Sequence, residues 1–296
     1  MPVDTIAKLK YLLREKAIPP GVEVSVERRR ETMEKLSFPV KDDVEIETTH
    51  VAGCAAEWVR APGVAADRVL LYLHGGGYVM GSPNTHRALA GELSRAAGAP
   101  ALVLDYRLAP EAPFPAAVED AVSAYCWLLE SGYAPERLAV GGDSAGGGLT
   151  VATLLAARER SLPQPAAGIC LSPWSDLGCS NASYQTRAAA DPMVTPDAIA
   201  FMAGTYLAGA DPHSPLASPN RADLSGLAPL LIHVGRDEVL LDDAVVLAEA
   251  ARSAGGDVTL EVWDEMIHVW HAFHPMLVEA RRAIAGVGGY LRCRWA

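Results

Sequence analysis

The chain has 296 residues, half of them hydrophobic, with 25 basic against 36 acidic side chains and a formal net charge of −11. That length and apolar content suffice for one large α/β unit with an insertion, or for two smaller domains. The only notable basic run is the isolated Arg28-Arg29-Arg30, so a phosphate-tracking surface, and with it a nucleic-acid partner, is excluded.

The opening stretch MPVDTIAKLKYLLREKAIPPG (1–21) carries charges among its apolar residues and lacks a small-residue cleavage site. It reads as an amphipathic helix rather than a signal peptide. Residues 43–51 and 54–61 alternate enough to predict a strand pair. Short β-rich apolar runs then predict strands at 68–74, 99–106, 137–142, 166–172, 229–235 and 257–263. Helical patterns fall between and after them, at 84–97, 115–131, 145–159, 241–254 and 275–292, with Pro275 suited to the first turn of the last. Apolar strands alternating with helices imply a mostly parallel sheet covered on both faces, whose sites lie at the carboxyl ends of the strands. Residues 176–228 break the alternation, with a helix near 196–207 and otherwise loop-like sequence; an excursion of this length suits a lid or binding element. Uncharged runs are interrupted by Gly and Pro, so no membrane span and no stable membrane association are expected. Five scattered cysteines, odd in number and without a CxxC, suit reduced thiols in a cytoplasmic protein.

Between the predicted strand at 137–142 and the helix at 145–159 lies Gly142-Asp143-Ser144-Ala145-Gly146, a G-x-S-x-G. A nucleophile on so sharp a strand-to-helix turn needs flanking residues without side chains, because the neighbouring chain passes close by. Attack by Ser144 on an acyl carbon would create an oxyanion, which requires preorganised N–H donors. His74-Gly75-Gly76-Gly77 at the end of an earlier strand is an HGGG-type oxyanion loop, with Gly76, Gly77 and Ala145 as the expected donors. Bare glycine would keep the path from these amides to the serine clear, and His74 would brace the loop by hydrogen bonds. A phosphate-binding loop is excluded, since neither GK[ST] nor G-x-G-x-x-G is present.

A serine nucleophile needs a base, and the base an orienting carboxylate, in the chain order Ser, acid, His. Three histidines cluster in EMIHVWHAFHPM. His268 lies just beyond a predicted strand, in a loop at the carboxyl edge, and is the expected base. His271 and His274 fall nearer the helix, as packed or exposed histidines, and their spacing lacks the H-E-x-x-H or further ligands of a zinc site. The acid falls within Arg236–Asp243. Asp242 and Asp243 open a helix and suit its dipole; Asp237 and Glu238 are left, and periodicity does not separate them.

The motifs HGGGYVMGS, DYRLAPEAPFPAAVED, GDSAGGGL, LSPWSDL, DEVLLDD and MIHVW, in that order, resemble the bacterial branch of the hormone-sensitive lipase family (family IV) of the α/β-hydrolase superfamily. The resemblance covers nearly the whole chain. It implies an α/β-hydrolase fold with a mostly parallel eight-stranded sheet flanked by helices and a helical cap. Residues 1–40 would form the first cap segment and 176–228 the second, with 41–175 and 229–296 as the two parts of the core. It implies a serine carboxylesterase for short- to medium-chain acyl esters, working through an acyl-enzyme without metal or organic cofactor. A homodimer paired through an edge strand is a further implication. Family members commonly carry Asp-Pro-Leu where this chain has Glu238-Val239-Leu240, and an ungapped alignment makes Glu238 the triad acid. By the same resemblance Arg107 and Glu111 tie loops beside the oxyanion loop, and Asp105 ends a strand. Tyr78, Trp174, Met193, Phe201 and Tyr206 are candidate pocket walls, although each also suits ordinary packing. Two alternatives stand beside the esterase: a non-catalytic binding protein on the same fold, against which His268 argues, and a hydrolase of amides or lactones.

Overall fold

A computed structural model describes residues 5–16 and 24–296; the ends of the expected N-terminal helix at 1–4 and 17–21 lie outside the described residues. Helix α1 (Ile6–Lys16) and helix α2 (Val26–Lys35) open the chain, the second capped by Ser25, whose hydroxyl accepts the Arg28 N–H. The antiparallel pair β1 (Glu45–Val51) and β2 (Cys54–Arg60) follows. Then come β3 (Val69–Leu73), α3 (Pro83–Ala97), β4 (Ala101–Asp105), α4 (Ala116–Glu130), β5 (Leu138–Asp143), α5 (Ala145–Glu159) and β6 (Ala167–Leu171). After an insertion holding α6 (Ser183–Thr186) and α7 (Pro196–Leu207), the chain resumes with β7 (Leu230–Gly235), α8 (Leu241–Ser253), β8 (Val258–Trp263) and α9 (Val278–Arg294). The eight strands form one sheet in the order β1-β2-β4-β3-β5-β6-β7-β8, and every pairing from β4 to β8 is parallel.

Strands β3, β5, β6 and β7 are buried along their whole length, which is why each reads as an unbroken apolar run. Successive side chains go to opposite layers. Leu71, Leu73, Leu102, Leu104 and Val140 pack with α4, α5 and α8, while Leu70, Tyr72, Ala101, Val103 and Ala139 pack with α3 and α9. A third cluster joins Leu9 of α1 to Met266, Ile267 and Trp270 of the loop after β8.

The register pairs Leu73 with Gly142, Asp143 with Leu171, and Leu171 with His233. The central strands therefore end level, and the residues just past them share one edge of the sheet. The insertion leaves that edge after β6. Helix α7 starts where expected because Thr195 caps it by accepting the Ala198 N–H and Pro196 occupies the first turn. The N-terminal helices reach the insertion: Arg14 donates to the carbonyls of Ala189 and Ala190, and the Arg29 guanidinium lies 5.1 Å from the Phe201 ring centre.

The start of α9 differs from the expectation. Pro275 lies in a turn, and the helix begins only at Val278. Both Met276 and Leu277 donate to the Phe273 carbonyl, and Leu277 is extended and fully buried. Packing of that leucine delays the helix. All five cysteines are free, and among the described residues no helix is long and apolar enough to cross a membrane.

Candidate active site

Ser144 stands between β5 and α5 at φ 54, ψ −120, a conformation that costs a non-glycine residue about 1–3 kcal/mol and persists only where its surroundings enforce it. The enforcement is visible. Its N–H donates to the Leu171 carbonyl at 2.8 Å, and its own carbonyl accepts the N–H groups of Gly147 and Trp174. A Cβ on Gly146 would sit 1.9 Å from the Leu73 carbonyl oxygen, and one on Gly142 2.3 Å from that same oxygen. Both glycines of the motif are thus demanded by the backbone of β3, as the pattern anticipates.

His268 and Glu238 converge on this serine. The imidazole Nε2 lies 2.9 Å from Ser144 Oγ, and Nδ1 lies 2.7 Å from Glu238 Oε2. Both side chains are buried. Burial alone would depress the His268 pKa, but the hydrogen bond and charge of Glu238 outweigh it and raise the value. The loop carrying His268 approaches β7 closely: a Cβ on Gly235 would be 2.4 Å from the Met266 carbonyl oxygen, and Asp237 N–H donates to that oxygen. Asp237 itself points elsewhere. Its carboxylate meets Lys10 Nζ of α1 at 2.6 Å, so of the two adjacent acids Glu238 is the one at the imidazole.

Gly76 (φ 120) and Gly77 (φ 63) form the turn after β3. The N–H groups of Gly76, Gly77 and Ala145 donate no hydrogen bond among the described residues and remain available to a ligand. The fold supplies a steric reason for the glycines beyond the sequence pattern. A Cβ on Gly76 would meet the Met80 carbonyl oxygen at 2.1 Å, and one on Gly77 the Met202 sulfur at 2.2 Å. The loop's own turn and helix α7 exclude side chains there. His74 does brace the loop: Nδ1 lies 2.8 Å from the Gly75 carbonyl, and its ring stacks on Tyr106 at 4.2 Å. Burial pushes its pKa down to about 3, so the ring is neutral.

Sequence reasoning misses the residue that fastens this loop. Asp143 Oδ1 accepts Tyr72 O–H (2.7 Å) and Gly75 N–H (3.2 Å), and Oδ2 lies 3.3 Å from His86 Nε2. Burial would raise its pKa, but His86 and these donors hold it down at about 2. The available signal is a carboxylate inside a strand-to-helix turn that must be buried, since a buried charge demands partners. Met202 leaves no comparable trace, being one apolar residue on an apolar helix.

The insertion is laced to the turn that holds Glu238. Asp191 accepts the Val239 N–H at 3.0 Å, and Asp242 accepts the Ser183 N–H at 2.8 Å. Asp243 accepts the N–H groups of Ser175 and Asp176 and the Tyr184 hydroxyl. Asp243 is thus fully buried rather than a simple dipole-favoured acid, and burial pushes its pKa up to about 7. Arg107 grips Asp120 of α4, while Glu111 pairs with Arg30 of α2, which also donates to the carbonyls of Val79 and Ala109. Of the expected pocket walls, Tyr78 stacks on Tyr206 at 3.9 Å with Trp174 beside them, all three buried. Met193 and Phe201 are 41% and 42% exposed.

The three clustered histidines diverge. His268 joins the serine, His271 Nε2 meets His233 Nδ1 at 3.1 Å, and His274 faces Glu92, Lys41 and Arg281. Burial lowers the pKa of His74 to about 3 and of His233 to about 4, and lowers those of His271 and His274 as well. Below the ordinary histidine value of about 6.5, the unfolded chain therefore binds protons that the folded one refuses, and stability falls with pH. Asp243, which keeps a proton below about 7, acts oppositely, as do His86 and His268, whose carboxylate partners raise their pKa against burial. The two raised histidines take up their extra protons mainly above about pH 6.5, so the four lowered rings prevail below it. The melting temperature is expected to drop between about pH 6.5 and 5. A flat or rising melting curve across that range, followed by differential scanning calorimetry, would contradict neutral burial of these rings.

Residues 70–272 match the family described as alpha/beta hydrolase fold. The chain is similar to an acetyl-hydrolase of Streptomyces hygroscopicus, 50% identical over 290 residues that span 98% of this chain and 95% of that protein. Among solved structures, the esterase EstE5 soaked with p-nitrophenyl butyrate is similar with a TM-score of 0.97, 61% identity and 98% of both chains covered. An esterase from the bacterial hormone-sensitive lipase family is similar with a TM-score of 0.95, 50% identity and 98% of both chains covered.

Proposed function

The chain belongs to the bacterial hormone-sensitive lipase family of α/β hydrolases and is an ester hydrolase, and from that premise we propose that Ser144, His268 and Glu238 form its catalytic triad. The observation that carries this is the unbroken contact from Ser144 Oγ through both imidazole nitrogens to Glu238 Oε2. His268 Nε2 takes the serine proton as Oγ attacks the ester carbonyl. Oxygen charge developing there is met by the unengaged N–H groups of Gly76, Gly77 and Ala145, each such donor being worth about 2.7–4 kcal/mol in the transition state. The same imidazole then protonates the departing alcohol and afterwards activates water, which releases the acid from Ser144. Glu238 keeps the proton on Nδ1 and stabilises the imidazolium.

Short- to medium-chain acyl esters are the proposed substrates, with the N-terminal helices and the insertion acting as a cap. Met202 of α7 touches the oxyanion loop, and the buried Tyr78–Tyr206 stack stands beside it. Space filled by these side chains supports a preference for limited acyl length. For a series of p-nitrophenyl esters, kcat/KM is expected to fall at least about tenfold between butyrate and palmitate, roughly the discrimination a hydrophobic pocket provides. A flat or rising series would overturn the proposed chain-length range.

A further inference from the structure

Strand β6 ends at Leu171, and the next residue, Ser172, is fully buried with φ 49. Its N–H donates to the His233 carbonyl at 2.7 Å, tying it to β7. Its hydroxyl reaches two parts of the site at once. Oγ donates to Glu238 Oε1 at 2.9 Å and accepts the Val269 N–H at 3.0 Å, while Oε2 of the same carboxylate holds His268 Nδ1. Gly235 N–H completes the grip on Oε1.

Left-handed backbone is the region that glycine enters freely and other residues enter at a cost. Conformation alone would select glycine at 172, so the hydroxyl has to justify the serine. Glutamate also has one more rotatable bond than the aspartate common in this family. Its near oxygen must be anchored if its far oxygen is to remain on the imidazole. We propose that Ser172 is a positioning residue of the triad: its hydroxyl clamps Glu238 to the loop bearing His268, so that Oε2 stays aligned with Nδ1. Ser172 touches no reacting atom and acts only through Glu238 and His268. The inference rests on the triad assigned above.

Ser172→Gly removes the hydroxyl and relieves the left-handed strain, which offsets part of the cost of leaving the Val269 N–H unpaired. Ser172→Ala, which keeps the Cβ, is the second variant, and the melting temperature of each checks that the fold is kept. For p-nitrophenyl butyrate, kcat is expected to fall about 10–100-fold in either variant, the scale of a misplaced catalytic group, with KM changed less than about twofold. In a Glu238→Ala background the same substitution is expected to change kcat no further, because the hydroxyl then has no carboxylate to hold. The low-field NMR resonance of the His268 Nδ1 proton is expected to weaken or move upfield in Ser172→Gly. Unchanged kcat, or an equal loss in both backgrounds, would overturn the clamp. If Ser144→Ala abolishes hydrolysis while Ser172→Gly is normal, this inference fails alone. If Ser144→Ala stays active, the triad and the clamp fail together.

Discussion

Ser144→Ala is expected to lower kcat for p-nitrophenyl butyrate by about 10⁴- to 10⁶-fold, the range seen when a triad nucleophile is removed. The variant deletes the Oγ that lies 2.9 Å from His268 Nε2 and leaves the remainder of the site in place. Alanine is strained at φ 54 as serine is, and the backbone hydrogen bonds that enforce the turn do not involve the hydroxyl. Stability is therefore expected to change little, and the lost rate reports chemistry rather than folding. Residual turnover would come from the amides of Gly76, Gly77 and Ala145 and from substrate binding. Steady-state kinetics combined with stoichiometric labelling by a phosphonylating reagent provide the check. A variant keeping more than about a hundredth of the wild-type rate, or one still labelled at a single site, would remove Ser144 from the mechanism.

Glu238→Gln is expected to cost about 10⁴-fold in kcat, as amide replacement of a triad acid does, whereas Asp237→Ala changes it only a few-fold. The contrast follows from where the two carboxylates point. Glu238 is fully buried on His268 Nδ1, and the amide would hold the wrong tautomer. Asp237 pairs with Lys10 of α1 and does not touch the imidazole, so its loss leaves the reacting groups in place. A second readout follows from charge. Glu238 raises the His268 pKa against the effect of burial, so removing its charge lowers that pKa. The base is then neutral at lower pH, and the acidic limb of kcat/KM moves downward. Asp191 and Asp143, the other acids acting on His268, remain and limit the shift. Equal losses at 237 and 238, or a limb displaced upward, would contradict the assignment.

Much of this architecture is legible locally. Strands β3, β5, β6 and β7 appear as unbroken apolar runs because each is covered on both faces. Ser144 is recognisable because its sharp turn excludes side chains at 142 and 146, so the constraint is written in adjacent residues. His268 is found by its position just past a strand, at the edge where such sheets place their sites. Where a distant partner intervenes, local reading fails. Helix α9 begins late because Leu277 is drawn into the core, although Pro275 would suit an earlier start.

Residue pattern by itself determined the parallel sheet, the serine turn, the glycine loop and the order of nucleophile, acid and base, because each follows from steric or periodic rules acting within a few residues. Tertiary structure alone decided what fills the space against Gly77 and which side chains hold Asp143 and Glu238. It also puts on the imidazole the acid, Glu238, that the family resemblance favours and periodicity leaves open. Those choices rest on contacts between residues far apart in the chain: Lys10 with Asp237 across 227 positions, and Ser172 with Glu238 across 66. Two neighbouring acids have nearly the same local surroundings, so periodicity cannot separate them, whereas the fold turns one side chain to the imidazole and the other to Lys10.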